Sequence, residues 1–434
     1  MYDIAILGAG PGGYVAALHA AKKGAKVAVV EEKKLGGVCL HTGCIPTKAL
    51  ITAAQRPDRP LDFAGVTSWK DQLVGQLEKG IQALFDKNKI ERFHGRGKLV
   101  SPTRIEIKNS DQIPSLIDAK SLIIATGSCP RSLKGIPFDG EKVLSSDSLL
   151  AFGKIPKELL ILGGGVTGCE MAGLYQMLGS QVTLIEAQER LLPGFDEEIA
   201  KRLGAIFTQK GIRIFLKNTF EEAKKNDKGI TAVLSSGEKI SAEVLLVSVG
   251  REFQSQDIGI ETVGIKTGKG AINVDASLRT NIPSIYAIGD VTGRNLTAHA
   301  ASHDGIVAVE NILGNKMEVS RWVPRVVFTT PEAASVGANE EELKKKGISY
   351  QVKKSYYASL GRAHILGEPQ GWLKILAEEK SGKLLGVHGV GAHISELISE
   401  GTLALEMGAN LDQLKRVIHP HPTLSEIWTE AVWS

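Results

Sequence analysis

Cys39 and Cys44 are the residues whose type and spacing most directly suggest redox chemistry, since only four residues separate them. A disulfide across so short a loop gains only about 2 kcal/mol, because chain-entropy scaling favours longer loops. No signal-peptide pattern precedes the strand-like run that begins at Tyr2, so we expect a reducing compartment, where permanent disulfides are rare. The pair is therefore predicted to form and break a disulfide in each catalytic cycle.

Zinc binding and an inert pair of thiols are the alternatives to this redox role. Zinc sites favour two to four residues between paired cysteines and need a second pair of ligands, whereas Cys129 and Cys169 stand alone. We expect these two cysteines to be buried small apolar residues. No metal site is predicted.

Two glycine-rich turns predict two dinucleotide-binding sites. Each turn lies between a strand pattern and a helix pattern, and a second strand follows that ends in an acid 18 residues after the last glycine, Glu31 or Glu186. One such turn is weak evidence, but two with matched spacing are hard to obtain by chance. The glycines are Gly8, Gly10 and Gly13 in the first turn and Gly163, Gly165 and Gly168 in the second.

The physical reason is the same at both turns. Glycines let the backbone approach a pyrophosphate, and the helix N-terminus offers it free N–H groups and a partial positive charge. The carboxylate at the strand end can accept hydrogen bonds from the ribose hydroxyls. Glu186 would also repel a 2′-phosphate, and no arginine stands where it would accommodate one, so the second site is predicted to prefer NAD over NADP.

Further strand patterns indicate that the second nucleotide domain interrupts the first. Strand-like runs at residues 121–128, 244–251 and 284–288 fit this arrangement, and an α+β pattern begins near residue 321. The turns at or after these strands contain Thr126, Gly127, Gly250 and Asp290.

The composition indicates an ordinary globular protein of two to four domains. The chain has 434 residues, 43% hydrophobic and 23% charged, with a net charge of +4. Its densest basic run, Lys344–Lys346, follows three glutamates, which predicts a solvated helix face and no nucleic-acid patch. No apolar run approaches the roughly 18 residues needed to cross a membrane.

His421 and Glu426 are the candidate acid–base pair. Oxidation of a dithiol needs a base that works near neutral pH, and a carboxylate on the other ring nitrogen would fix the imidazole tautomer. In the alternative interpretation, Thr423 and Glu426 form a capping box and His421 is a surface residue. His419 is either a supporting residue or a surface residue.

Together, these motifs resemble the disulfide-dependent pyridine nucleotide–flavin oxidoreductases and, within them, the dihydrolipoamide dehydrogenases. The resemblance covers essentially the whole chain, and its most specific parts are GGVCLHTGCIPTK at 36–48, GPGGY at 10–14, GGGVTGCE at 163–170, YAIGD at 286–290 and HPTLSE at 421–426. It implies an α/β fold with two Rossmann-like domains, the NAD domain inserted in the FAD domain, plus a C-terminal α+β dimerisation domain. The expected divisions are residues 1–145 and 266–320 for the FAD domain, 146–265 for the NAD domain and 321–434 for the dimerisation domain.

The resemblance also implies residue roles. The first site would take FAD and the second NAD, with Glu31 on the adenosine ribose and Asp290 on the flavin chain. Lys48 would lie near the flavin ring with Glu170 as its partner. The alternatives without a role in binding or catalysis are that Lys48 is an exposed helix residue and that Asp290 caps a helix or a turn. Cys39 would exchange with substrate while Cys44 lies next to the flavin.

The implied activity is oxidation of dihydrolipoyl groups, with electrons passing through Cys39 and Cys44 and FAD to NAD. His421 would serve the disulfide of the other subunit, so the expected working unit is a homodimer, cytoplasmic, that meets lipoyl domains of 2-oxo acid dehydrogenase or glycine cleavage complexes. An NAD(P)H-dependent reductase of another small disulfide and a non-catalytic flavoprotein subunit are the alternatives. Glu186 argues against use of NADPH, and retention of the thiol pair argues against a non-catalytic role.

Overall fold

The first part of the chain forms the strand–turn–helix–strand unit that the sequence predicts. The computed structural model describes residues 1–55, 62–109, 114–227 and 229–434. The elements in this part are β1 (Tyr2–Leu7), α1 (Pro11–Lys22), β2 (Val27–Glu31), α2 (Gly37–His41), α3 (Cys44–Ala54), α4 (Phe63–Lys87), β3 (Glu91–His94), β4 (Arg96–Ser101), β5 (Arg104–Lys108), β6 (Ser115–Ile124) and β7 (Ser128–Pro130).

A second parallel sheet follows, with strand order β11-β10-β9-β15-β8, and an antiparallel meander of β12, β13 and β14 accompanies it. The buried faces of its central strands are leucine, isoleucine and valine, as expected where helices cover a parallel sheet. The elements are β8 (Val143–Leu144), α5 (Ser146–Leu150), β9 (Glu158–Leu162), α6 (Val166–Met177), β10 (Gln181–Ile185), α7 (Glu197–Gln209), β11 (Arg213–Phe215), β12 (Phe220–Asn226), β13 (Gly229–Leu234), β14 (Lys239–Ala242), β15 (Val244–Val247) and β16 (Arg251–Phe253).

The chain then returns to the first sheet. Strand β19 pairs in parallel with β6, so that β3, β2, β1, β6 and β19 form one parallel sheet, to which β5 and β4 add an antiparallel extension. This return agrees with the predicted insertion of one nucleotide domain into another. The elements are α8 (Ile260–Val263), β17 (Thr267–Gly268), β18 (Ala271–Ile272), β19 (Ile285–Ala287) and α9 (Ala298–Ile312).

The last part is the α+β unit, an antiparallel sheet of order β20-β21-β24-β23-β22 covered by helices α12 and α14. Trp428, with 1% of its surface exposed, lies in the core between them. The predicted fold class is therefore confirmed. The elements are β20 (Arg325–Val327), β21 (Glu332–Gly337), α10 (Glu340–Lys345), β22 (Tyr350–Tyr356), α11 (Gly361–Ile365), β23 (Trp372–Glu378), β24 (Leu384–Gly391), α12 (Ile394–Glu406), α13 (Leu411–Leu414) and α14 (Glu426–Trp433).

A buried ion cluster joins the inserted domain to the C-terminal sheet. Lys374 on β23 is fully buried, and its Nζ lies 2.9 Å from Asp196 Oδ1 and 2.7 Å from Glu340 Oε1. Glu198 Oε1 is 3.4 Å from the same nitrogen, and its other oxygen pairs with Lys354. Burial alone would lower the pKa of Lys374, but its hydrogen bonds to these carboxylates raise it overall. The ammonium is therefore charged, and it connects two domains.

Two sequence-based predictions need correction. The acidic part of the 340–346 run is not simply a solvated face, since Glu340 pairs with Lys374 and Glu341 pairs with Arg190. Cys129 is only half-buried, whereas Cys169 is fully buried as predicted. None of the helices in the described part of the chain combines the length and the apolar character that crossing a bilayer requires.

Candidate active site

The first glycine turn has the shape of a phosphate cradle. Gly8 adopts a φ of +105°, which favours glycine, and a Cβ on Gly13 would overlap the carbonyl oxygen of Gly8. A Cβ on Gly10, in contrast, would meet nothing within 4 Å. The outer glycines therefore serve close packing of helix on strand, while the middle one leaves open space at the start of α1.

The second turn repeats this arrangement. Gly163 has a φ of +102°, a Cβ on Gly168 would overlap the Gly163 carbonyl, and a Cβ on Gly165 would meet nothing within 4 Å. Neither α1 nor α6 has a side chain that caps its N-terminus. Both turns could hold a dinucleotide pyrophosphate, because free N–H groups face open space at each.

The two acids at the strand ends lie against their own glycine turns. Glu31 accepts hydrogen bonds from the backbone N–H of Ala9 at 2.7 Å and of Lys33 at 2.8 Å. Glu186 accepts equivalent bonds from Gly164 at 2.6 Å and Gln188 at 2.8 Å. Each carboxylate is thereby fixed beside the turn, with lone pairs left for a ribose. The buried Glu186 would also oppose an added phosphate.

Thr126, Gly127 and Gly250 lie where the inserted domain joins the first. The Thr126 hydroxyl donates to the carbonyl of Gln254, and the Gln254 N–H donates to the Gly127 carbonyl. The carbonyl of Gly250 accepts from the N–H of Arg131. Strands β7 and β16 pair here, so these residues tie the two sheets together next to the first turn.

Asp290 is held by partners that the sequence did not suggest. Ser128 Oγ donates to Asp290 Oδ2 at 2.5 Å, and Arg251 donates to both Oγ and the carbonyl of Ser128. Arg251 Nε is itself 3.7 Å from the Asp290 carboxylate. The side chain is not used as a helix cap. Its partners are more than 35 residues away in sequence, so no local pattern identified them.

The two thiols lie on consecutive helices, Cys39 in α2 and Cys44 as the first residue of α3. A hydrogen bond to Cys44, then burial, raises the pKa of Cys39. The pKa of Cys44 is lowered to about 7, because the Cys39 thiol donates to it and the Lys48 charge lies nearby, which together outweigh burial. The lowered pKa of Cys44 favours it over Cys39 as the ionised member of the reduced pair.

Lys48 lies one helical turn after Cys44 and is paired with Glu170. Lys48 Nζ is 2.7 Å from Glu170 Oε2, and Glu170 is only 5% exposed. The other carboxylate oxygen accepts the backbone N–H of Phe328 at 2.9 Å, and the Lys48 ammonium lies 4.6 Å from the centre of the Phe328 ring. Phe328 is thus a further site residue that the sequence reasoning missed.

Tyr14 is another site residue that the sequence reasoning did not identify. It belongs to the first glycine motif and is half-buried. Burial raises its pKa, and the electrostatic influence of the Cys39–Cys44 pair adds to this shift, so Tyr14 lies within reach of the thiols' charge. The sequence did offer one signal for Tyr14, because this residue directly follows Gly13, the last glycine of the first turn.

His421 and Glu426 form the predicted contact, and Glu426 also makes half of the alternative cap. His421 Nδ1 lies 2.8 Å from Glu426 Oε1, while Glu426 Oε2 accepts the Thr423 N–H at 2.8 Å. The Thr423 bond and then His421 lower the pKa of Glu426. The contact between His421 and Glu426 is therefore present. The capping box is not, because α14 begins at Glu426 with Ser425 as its N-cap and no side chain caps this end. Nε2 of the histidine is left free for a substrate.

His419 is not a surface residue. Its side chain is 7% exposed and is held between Thr429 Oγ1 at 2.8 Å and Glu400 Oε1 at 3.0 Å. The His421 side chain, in contrast, is 77% exposed. The structure thus brings together Cys39, Cys44, Lys48 and Glu170, and leaves the His421 pair apart on the surface of another domain.

Two family models together match nearly the whole chain. Residues 2–305 match the pyridine nucleotide-disulphide oxidoreductase model, and residues 323–432 match the dimerisation domain of the same family. The second match supports a homodimer.

Curated relatives match over almost their full length. A dihydrolipoyl dehydrogenase of Chlamydia muridarum is 40% identical, over 99% of this chain and 96% of the relative. That of Bacillus subtilis is also 40% identical, over 99% and 97%. A mitochondrial dihydrolipoyl dehydrogenase of Pisum sativum is 37% identical, over 99% and 90%.

Solved structures share the fold throughout. LpdA from Mycobacterium tuberculosis superposes with a TM-score of 0.94 at 28% identity, over 100% of this chain and 99% of that one. The HOCl-induced flavoprotein disulfide reductase RclA from Escherichia coli gives 0.92 at 28% identity, over 100% and 99%. With a thiol pair, two glycine cradles and these matches in place, the chain belongs to the pyridine nucleotide-disulphide oxidoreductases.

Proposed function

We propose that this chain is a dihydrolipoyl dehydrogenase, which oxidises dihydrolipoyl groups to lipoyl and reduces NAD. The observation that carries the proposal is the arrangement of the thiol pair, with Cys39 and Cys44 on consecutive helices and the Lys48–Glu170 ion pair one helical turn after Cys44. The relatives with this activity match 99% of the chain. A reductase driven by NADPH is disfavoured, because Glu186 would oppose a 2′-phosphate.

The two cradles fit the two cofactors of this family, FAD and NAD. In our proposal the turn of Gly8, Gly10 and Gly13 holds the FAD pyrophosphate, with Glu31 at the ribose. The second turn holds the NAD pyrophosphate with Gly163, Gly165 and Gly168, and Glu186 lies at the NAD ribose. Four further residues line the cofactor sites: Thr126, Gly127, Gly250 and Asp290. A flavin held there would supply the two-electron chemistry that links the thiol pair to hydride transfer to NAD.

The protein's own side chains carry out the thiol–disulfide exchange and the proton transfer. His421 Nε2 removes a proton from one substrate thiol, and this sulfur attacks Cys39 of the oxidised pair, which breaks the Cys39–Cys44 bond and leaves Cys44 as a thiolate. The second substrate thiol then attacks the mixed disulfide, so that lipoyl leaves and Cys39 becomes a thiol. Glu426 stabilises the protonated imidazole that results. Lys48, fixed by Glu170, stabilises the Cys44 thiolate.

The proposal includes a homodimer in which His421 acts on the thiol pair of the partner subunit. The high exposure of the His421 side chain supports this, since a base must be accessible to meet a second chain. Lipoyl domains of 2-oxo acid dehydrogenase or glycine cleavage complexes are the proposed partners. A cytoplasmic location goes with an exchangeable disulfide, which needs a reducing compartment. The boundaries 1–145, 146–265, 266–320 and 321–434 are part of the same proposal.

The test is steady-state reduction of NAD and of NADP by the purified, FAD-loaded protein with dihydrolipoamide as donor. Fast turnover with NAD and slow turnover with NADP is expected. Negligible turnover with either nucleotide, in protein that keeps its flavin, would refute the dihydrolipoyl substrate and direct the search to other small disulfides.

A further inference from the structure

Phe328 lies where three parts of the fold meet. It directly follows β20 in the C-terminal domain. Its ring contacts Lys48 of α3, and its backbone N–H donates to Glu170 of α6. Thr330, two residues further along the chain, is also held, since its hydroxyl accepts from Gln55 at 2.8 Å and its carbonyl accepts from Lys210 at 2.9 Å. The segment that carries Phe328 is therefore fixed from several sides.

We propose that Phe328 is a positioning residue that holds the Lys48–Glu170 ion pair beside the reactive thiols. Its N–H fixes one carboxylate oxygen of Glu170 at 2.9 Å, so the other oxygen is directed to Lys48 Nζ at 2.7 Å. Its ring faces the same ammonium at 4.6 Å. One residue thus contacts both members of the pair.

The ring contact is the part that a side-chain substitution can remove. A lysine has four rotatable bonds, and Lys48 is 31% exposed, so a single carboxylate leaves the ammonium room to move. A cation over an aromatic face is attracted by the ring quadrupole. Without the ring, the ammonium would spend less time near Cys44, and the thiolate would lose part of its stabilisation.

The inference deepens the proposed function, because it rests on Cys44 being the thiolate next to a flavin. It requires only the FAD-loaded protein and no lipoyl substrate. In the two-electron-reduced protein, the long-wavelength absorbance of the thiolate–flavin contact reports ionisation of Cys44 directly.

The experiment is a pH titration of this absorbance in Phe328→Leu, Phe328→Tyr and the unchanged protein. All three keep the backbone N–H to Glu170, so the ring is isolated as the variable. We expect the midpoint of Phe328→Leu to move upward by about half a pH unit, a roughly threefold smaller ratio of thiolate to thiol, while Phe328→Tyr keeps the original midpoint. A Thr330→Val variant, which loosens the same segment without touching the ring, should also keep it.

An unchanged midpoint in Phe328→Leu would overturn the inference. So would an equal shift in Phe328→Tyr or Thr330→Val, since each retains the ring. Absence of the band from the unchanged protein would instead refute the proposed dithiol–flavin arrangement. The failures of the two proposals are therefore distinguishable.

Discussion

Lys374→Met should strongly destabilise the junction between the inserted domain and the C-terminal sheet. The substitution keeps the apolar length of the side chain but removes the ammonium that faces Asp196, Glu198 and Glu340. Removing one partner of a buried ion pair costs about 3–5 kcal/mol, because the other charge stays buried and uncompensated. Asp196 is 2% exposed, whereas Glu198 and Glu340 reach solvent and can relax. We therefore expect Lys374→Met to lower the free energy of unfolding by about 3 kcal/mol.

The pH dependence of this loss has a definite sign. Burial alone would raise the pKa values of Glu198 and Glu340, but their hydrogen bonds to lysines, Lys374 among them, lower both. A carboxyl whose folded pKa is lowered contributes stability above its unfolded pKa of about 4.3, and this is lost as the pH falls through the folded pKa. The difference in unfolding free energy between the unchanged protein and Lys374→Met should thus be complete at pH 7 and become smaller below about pH 4.5.

The assay is urea denaturation of both proteins at pH 7 and at about pH 3.5, below the unfolded carboxyl pKa, with the free energy of unfolding from linear extrapolation. Lys201→Met is the matched control, because it removes an exposed lysine that pairs with Glu197 on the same helix, worth at most about 0.5 kcal/mol. Adding Asp196→Asn to Lys374→Met should recover about half of the loss, since asparagine removes the buried charge and keeps the cap on Glu198 N–H. A loss in Lys374→Met no larger than in the control would refute the reasoning.

Three further predictions concern the site. Cys44→Ser should abolish turnover while flavin stays bound, as absorbance of the purified variant would show; full activity would refute the redox role of the pair. His421→Gln should slow dithiol oxidation by about 10²–10⁴ in rapid-mixing experiments, the range for a lost acid–base catalyst, and an unchanged rate would refute the acid–base role of His421. Glu186→Ala should reduce the preference for NAD over NADP, measured as the ratio of kcat/KM, because a buried carboxylate at the strand end is removed; an unchanged ratio would place the selector elsewhere.

The local parts of the site could be predicted from the sequence. The two glycine turns, the strand-end acids and the contact between His421 and Glu426 all depend on residues less than about 25 positions apart, where backbone geometry follows from residue type. A positive φ at Gly8 and a Cβ-free Gly13 are properties of one turn. For the same reason the strand–turn–helix–strand units were placed within a few residues.

The long-range contacts could not be predicted. Phe328 reaches Glu170 across 158 positions, Arg251 reaches Ser128 across 123, and Lys374 reaches Asp196 across 178. The sequence presented a lysine in an apolar strand without showing which carboxylates would surround it. Such contacts depend on how whole sheets dock, and docking is decided by burial summed over many side chains, which no short pattern contains.

The sequence by itself determined which chemistry this protein can perform, because a pair of thiols, two nucleotide cradles and an imidazole with its carboxylate are fixed by residue type and spacing. Only the tertiary structure decided which thiol is favoured as the thiolate, what holds Lys48 and Asp290 in place, and how Glu426 binds both His421 and the backbone N–H of Thr423. The physical reason is that charge, hydrogen bonding and desolvation act across space, and folding brings together groups that the chain keeps far apart.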